Sequence, residues 1–230
     1  MHWTFRNLGR LLVASCVFFA AHSGIPGAVY AADQRVALVI GNGAYPTAPL
    51  RNPVNDANAM AATLRTLGFD VMLKTQGTRR DMTRAVSEFR ARIKPGVVAL
   101  FYYAGHGMQV KGRNYLVPVD AEIDSEEMVA SESVDVDVLL DSLKASRLNV
   151  VILDACRDNP FARGKRSGTG LAEIDAPIGT FLAYATAPGK VAADGSGDNG
   201  LYTSELLKAL EMPGLKIEDV FKQVRINVLK

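Results

Sequence analysis

Four stretches of the chain are continuously apolar over most of their length and rich in β-branched or aromatic residues. They are RVALVIG (35–41), VVALFYY (97–103), NVVILDA (149–155) and IGTFLAYATA (178–187). A strand with one wet face alternates apolar and polar residues, and these runs do not, so each predicts a strand buried on both faces. FDVMLK (69–74) predicts a shorter strand. The intervening segments have helical periodicity. In NDANAMAATLRTLG the apolar positions are Ala57, Met60, Ala61, Leu64 and Leu67, with Gly68 as the stop. In TRRDMTRAVSEFRARI they are Met82, Val86, Phe89 and Ile93, followed by Pro95 and Gly96. Further helices are expected near 136–145, in GLYTSELLKAL and in IEDVFKQVRINVLK. Strands alternating with helices define an α/β fold, a mostly parallel sheet flanked by helices on both faces.

The first 31 residues stand apart. Arg6 and Arg10 precede the apolar run LLVASCVFFAA, and AVYAAD supplies small residues for cleavage near Ala31. This pattern predicts a signal peptide over 1–31 and one domain over 32–230, exported to a periplasm or secreted, with no membrane attachment once the signal is removed. Removing Arg6 and Arg10 leaves basic and acidic residues in balance, which gives no electrostatic reason to expect a nucleic-acid partner. The acids between Asp120 and Asp141, with no Lys or Arg among them, lack the Asp/Asn-Gly pattern of a calcium loop and read as a solvated face. GNG (41–43) lacks the full glycine spacing of a dinucleotide site.

After cleavage one cysteine, Cys156, and one histidine, His106, remain. A single cysteine makes no internal disulfide, and a thiol left over in an exported protein is a liability unless it is used. His106 lies three residues past the run ending at Tyr103, between Gly105 and Gly107. Cys156 lies three past Leu153. In an open parallel sheet, ligands bind beyond the carboxyl ends of the strands. If these two strands are neighbours, thiol and imidazole meet there, as nucleophilic thiol catalysis requires. The backbone N–H groups of Gly107 and Cys156 are then candidate oxyanion donors.

YYAGHG (102–107) and DACRDNPF (154–161) resemble the two signature segments of the bacterial caspase-like and metacaspase-like peptidases, the caspase p20 family of type C14. RVALVIGNGAY…LRNPVNDA resembles the family's first strand and loop. FLAYATAPGKVAADGSGDNGLYTSEL resembles its p10-like part. The resemblance implies a p20-like part over about 35–160 and a p10-like part over about 175–230. It implies a cysteine endopeptidase acting on protein or peptide, with His106 as base and Cys156 as nucleophile, and no cofactor or metal for the chemical step. It also assigns Asp154 and Asp56 to the substrate pocket, where metacaspase-like members accept Arg or Lys. A pair of carboxylates suits a guanidinium. As N-terminal residues near a helix start, Asn and Asp are also common caps, and Asp56 could be one. Ala104 stands where many metacaspases have a serine, which implies one pocket contact fewer. Arg51 is expected to point away. RDNPFARGKRSGTGLAEIDAPIG (157–179) is expected to be an exposed loop, with self-cleavage after Lys165 or Arg166. The competing reading is a catalytically silent caspase-like interaction module.

Overall fold

The computed structural model describes residues 34–156, 171–172, 174, 176–185 and 197–229. The chain divides into two units, Met1–Ala32 and Asp33–Lys230, and the fold is that of the second. Its strands are β1 (Arg35–Gly41), β2 (Asp70–Thr75), β3 (Val98–Val110), β4 (Arg113–Leu116), β5 (Val134–Asp135), β6 (Leu148–Cys156) and β7 (Thr180–Tyr184). The helices are α1 (Pro53–Thr66), α2 (Arg79–Arg92), α3 (Val129–Glu132), α4 (Val136–Ser142), α5 (Leu201–Leu210) and α6 (Ile217–Val228). A parallel sheet runs β2-β1-β3-β6-β7. β4 pairs antiparallel with the far half of β3, and β5 with β4.

The period of two along a strand sorts the core into two layers. Leu38, Ile40, Phe101, Tyr103, Val151 and Leu153 face α2 and α4, where Met82, Phe89, Val136 and Leu139 cover them. Ala37, Val39, Leu100, Tyr102, Val150 and Ile152 face α1, α5 and α6, where Met60, Leu64, Leu206 and Val224 cover them. This is the doubly covered sheet that the unalternating runs predict for β1, β3 and β6; β7 is shorter than its run and mostly half-buried, with Ile178 exposed. α2 begins at a capping box, with the Thr78 side chain accepting from the Asp81 N–H and the Asp81 carboxylate accepting from the Thr78 N–H. The Thr78 hydroxyl, which donates to the Asp81 carboxylate at 2.6 Å, and after it the Thr78 N–H hold the Asp81 carboxyl below the usual range.

Two features differ from the sequence reading. β3 does not stop at Tyr103; it continues through His106 to Val110, turns at Lys111–Gly112 and returns as β4. Both turn residues have positive φ, 49° and 80°, as a two-residue hairpin of the type I′ kind requires. Leu171 and Ala172, expected in an exposed loop, are docked. Leu171 is buried in the core, and the Asn114 side chain donates to the Ala172 carbonyl and accepts from its N–H. The glycines of GNG serve packing. A Cβ on Gly41 would lie 2.3 Å from the Pro53 carbonyl oxygen and 2.6 Å from the Ala57 Cβ. Asn42 between them is buried and bonds to both backbone groups of Gly77. The sequence around Arg163, Lys165 and Arg166 lies outside the described residues.

The contact at Gly41 sets how closely α1 rests on the sheet. Gly41→Ala is expected to push α1 off β1 and cost about 1–3 kcal/mol, read as a lowered midpoint in urea unfolding with an unchanged m-value.

Candidate active site

The His106 backbone sits at a break in the hydrogen-bond ladder. β1 ends beside Ala104, whose carbonyl accepts from Asn42 N–H at 2.9 Å. Pairing with β4 begins at Gly107, opposite Leu116, the last residue of that strand. Between them the His106 N–H has no strand to bond, and it donates instead to the Tyr45 hydroxyl at 3.0 Å. The His106 carbonyl accepts from the Val117 N–H at 3.0 Å and from the Tyr103 hydroxyl at 2.8 Å. The Tyr45 hydroxyl donates to the Val117 carbonyl at 3.0 Å. These hydroxyls also explain Gly105. Its φ is +156°, and a Cβ there would lie 2.6 Å from the Tyr103 oxygen and 2.7 Å from that of Tyr45. The histidine flanked by glycines therefore has a local cause: the chain must pass two crossing phenols.

The imidazole is buried, with its ring 4.4 Å from that of Tyr45. Nε2 lies 2.7 Å from the Ala48 carbonyl oxygen. A carbonyl only accepts, so Nε2 carries a proton, and in the neutral ring the lone pair then sits on Nδ1. The strand register sets Cys156 directly opposite His106, one interstrand spacing of about 4.8 Å away along the backbone. β6 thus brings the cysteine to the same end of the sheet. Gly107 is opposite Leu116, yet the Val117 N–H bonds to the His106 carbonyl. The backbone groups of Gly107 are therefore turned away from β4, toward the β6 edge.

The two acids converge from different elements. Asp154 is on β6, opposite Ala104. Its Oδ2 accepts from the Thr203 hydroxyl at 2.6 Å. Asp56 is buried in the first turns of α1, whose cap position is Asn52, so it does not cap that helix. Its Oδ1 accepts from Asn199 Nδ2 and from the Gly200 N–H, each at 2.9 Å, and so ties α1 to the start of α5. The point where a Cβ on Gly200 would sit is 3.3 Å from Asp56 Oδ2 and 4.0 Å from Asp154 Oδ2. The carboxylates therefore border one small space, kept open by a glycine. Burial, and after it the negative charge of Asp154, raises the phenols of both Tyr102 and Tyr202 well above the usual tyrosine range; Asp56 adds to the effect on Tyr102. Arg51 is exposed. Among the described residues no group of His, Cys, Asp and Glu has the makings of a metal site.

The framework is thus a parallel sheet with helices on both faces, carrying a histidine and a cysteine in register at its carboxyl end. The family model of the peptidase C14 caspase domain matches residues 34–230, and the chain belongs to that family. It is similar to the mucosa-associated lymphoid tissue lymphoma translocation protein 1 of Homo sapiens and to the homologous protein of Mus musculus. Each is 38% identical over 129 residues, which cover 55% of this chain and 15% of the relative. The chain thus aligns with a small part of the length of the curated relatives it matches.

Sequence reasoning singled out His106, Cys156, Gly107, Asp56 and Asp154. It missed Tyr45, Tyr103, Ala48, Thr203 and Asn199, the groups that hold them. The one available signal was the pair Tyr102–Tyr103 in an otherwise aliphatic run, because a buried phenol needs a partner for its hydroxyl. Tyr45→Phe would leave the buried His106 N–H without its acceptor. It is expected to cost about 1–3 kcal/mol in chemical denaturation. Tyr103→Phe should cost less, since the His106 carbonyl keeps the Val117 N–H.

Proposed function

We propose that the protein is an exported cysteine endopeptidase that uses a Cys156–His106 dyad and cleaves after Arg or Lys. The observation that carries this reading is the strand register, which sets the cysteine opposite a histidine whose Nε2 is committed to a carbonyl. In the proposed reaction His106 Nδ1 takes the Cys156 thiol proton. The thiolate attacks the scissile carbonyl carbon, and the N–H groups of Gly107 and Cys156 stabilise the resulting oxyanion. The imidazolium then protonates the leaving amine. Water, activated by the same imidazole, hydrolyses the thioester and returns the thiol. The Ala48 carbonyl favours the tautomer this needs and supports the imidazolium once it forms.

Asp154, two residues before the nucleophile, and Asp56 beside it are proposed to hold the side chain of P1, the residue before the scissile bond. Their convergence near Gly200 supports this assignment. A guanidinium would meet two carboxylates with charge-assisted bonds, while an acidic P1 would meet like charge in a partly desolvated cleft. No cofactor is proposed for the chemical step. Export is proposed from residues 1–31 and is tested by N-terminal sequencing of protein from fractionated cells.

Fluorogenic peptides ending in Arg, Lys or Asp test the activity. kcat/KM for Arg is expected to exceed that for Asp by at least ~10³-fold, with Lys between them. Cys156→Ala should abolish turnover, and Asp154→Ala should remove most Arg cleavage while Cys156 remains alkylatable. Binding of peptide without turnover by the wild type would instead favour a silent interaction module.

A further inference from the structure

The Asp154 carboxylate is held by a chain of hydroxyls whose direction the geometry fixes. A carboxylate accepts only, so the Thr203 hydroxyl hydrogen, at 2.6 Å between oxygens, belongs to Asp154 Oδ2. Thr203 has one hydrogen. The 2.6 Å contact between Tyr102 and Thr203 must then have Tyr102 as donor. The series runs Tyr102 to Thr203 to Asp154, from β3 through α5 to β6. Thr203 is fully buried, as is Tyr102. A phenol raised well above its usual range stays protonated and keeps donating. The Tyr102 oxygen itself lies 3.5 Å from Asp154 Oδ2, at the outer limit of a direct bond, so Thr203 provides the close contact.

We infer that Thr203 is a positioning residue for substrate choice: by pinning one oxygen of Asp154 it fixes the plane of the carboxylate and so sets the preference for Arg over Lys at P1. This rests on the assignment of Asp154 to the P1 site. The physical reason is the difference between the two cations. A guanidinium bonds through a rigid planar fork and loses alignment when the acceptor plane rotates, whereas an ammonium is a compact charge with rotatable donors and tolerates rotation. A loosened Asp154 therefore keeps its charge and loses its discrimination. Thr203 does not face the scissile bond in this scheme, so the effect belongs in KM and in the Arg:Lys ratio, with the thiol chemistry intact.

The test compares wild type, Thr203→Val, Thr203→Ser and Tyr102→Phe in the full chain. Readouts are kcat and KM for matched Arg and Lys peptides, and alkylation of Cys156 as a report on the nucleophile. Thr203→Val removes the hydroxyl at nearly constant shape. It is expected to lower kcat/KM for Arg by about 10- to 100-fold, mostly through KM, and that for Lys less than about threefold, with alkylation unchanged. Thr203→Ser should restore the ratio. Tyr102→Phe should lower it severalfold, and this carries the test if Thr203→Val does not fold. A wild type that prefers Arg beside hydroxyl-deleted variants with an unchanged Arg:Lys ratio overturns the role of Thr203 alone, as does an equal loss on both peptides. A wild type with no preference for Arg over Asp overturns the P1 assignment itself.

Discussion

One edge of β3 changes partner partway along, from β1 to β4, and the site is built on that exchange. A buried backbone cannot leave an N–H or C=O unbonded without a cost of about 1–3 kcal/mol. At Ala104 the partner is still the end of β1, and by Met108 it is β4. His106 falls between, and the Tyr45 and Tyr103 hydroxyls complete its bonding there. The exchange lets a strand of 13 residues serve both as the centre of a parallel sheet and as half of a hairpin. It also means that the histidine backbone is held by side chains that differ in direction from any strand neighbour. Gly105 is the conformational consequence, since only glycine leaves room for both phenols.

The sheet and its helices were legible because burial on two faces leaves a local mark. Val36 to Ile40 are all buried, and so are Ala99 to Tyr103, so no polar alternation survives in the sequence. A common carboxyl end for His106 and Cys156 also followed from local reading, since both lie just past such runs, whereas the adjacency of their strands is set by the sheet order. The hairpin after His106 was less legible. Its turn, Lys111–Gly112, has glycine at only one of two positive-φ positions, and the preceding glycines suggested a loop. Leu171 was obscured by its surroundings, since one leucine in a glycine-rich stretch gives no period by which to assign a face.

The supporting groups of the site were illegible for a different reason. Tyr45 meets His106 across 61 positions of sequence, Thr203 meets Asp154 across 49, and Asn199 meets Asp56 across 143. Hydroxyl and amide side chains at such separations leave no periodic trace. Their roles appear only when topology brings α1, β6 and α5 to one end of the sheet. Asp56 illustrates the difference well. Its position near a helix start fits a cap, yet Asn52 holds the cap position and the carboxylate joins α1 to α5 instead.

The bond from the Gly200 N–H to Asp56 has a consequence for the order in which the protein is made. The two strands that carry His106 and Cys156 are complete once β6 is synthesised. The hydroxyl that steadies Asp154, and the amide groups that grip Asp56, belong to a segment made more than 40 residues later. A nascent chain therefore contains its histidine and cysteine strands before it contains the groups that fix its two acids. The fixed positions of Asp154 and Asp56 are therefore the last of these features to be set, and they arrive with α5.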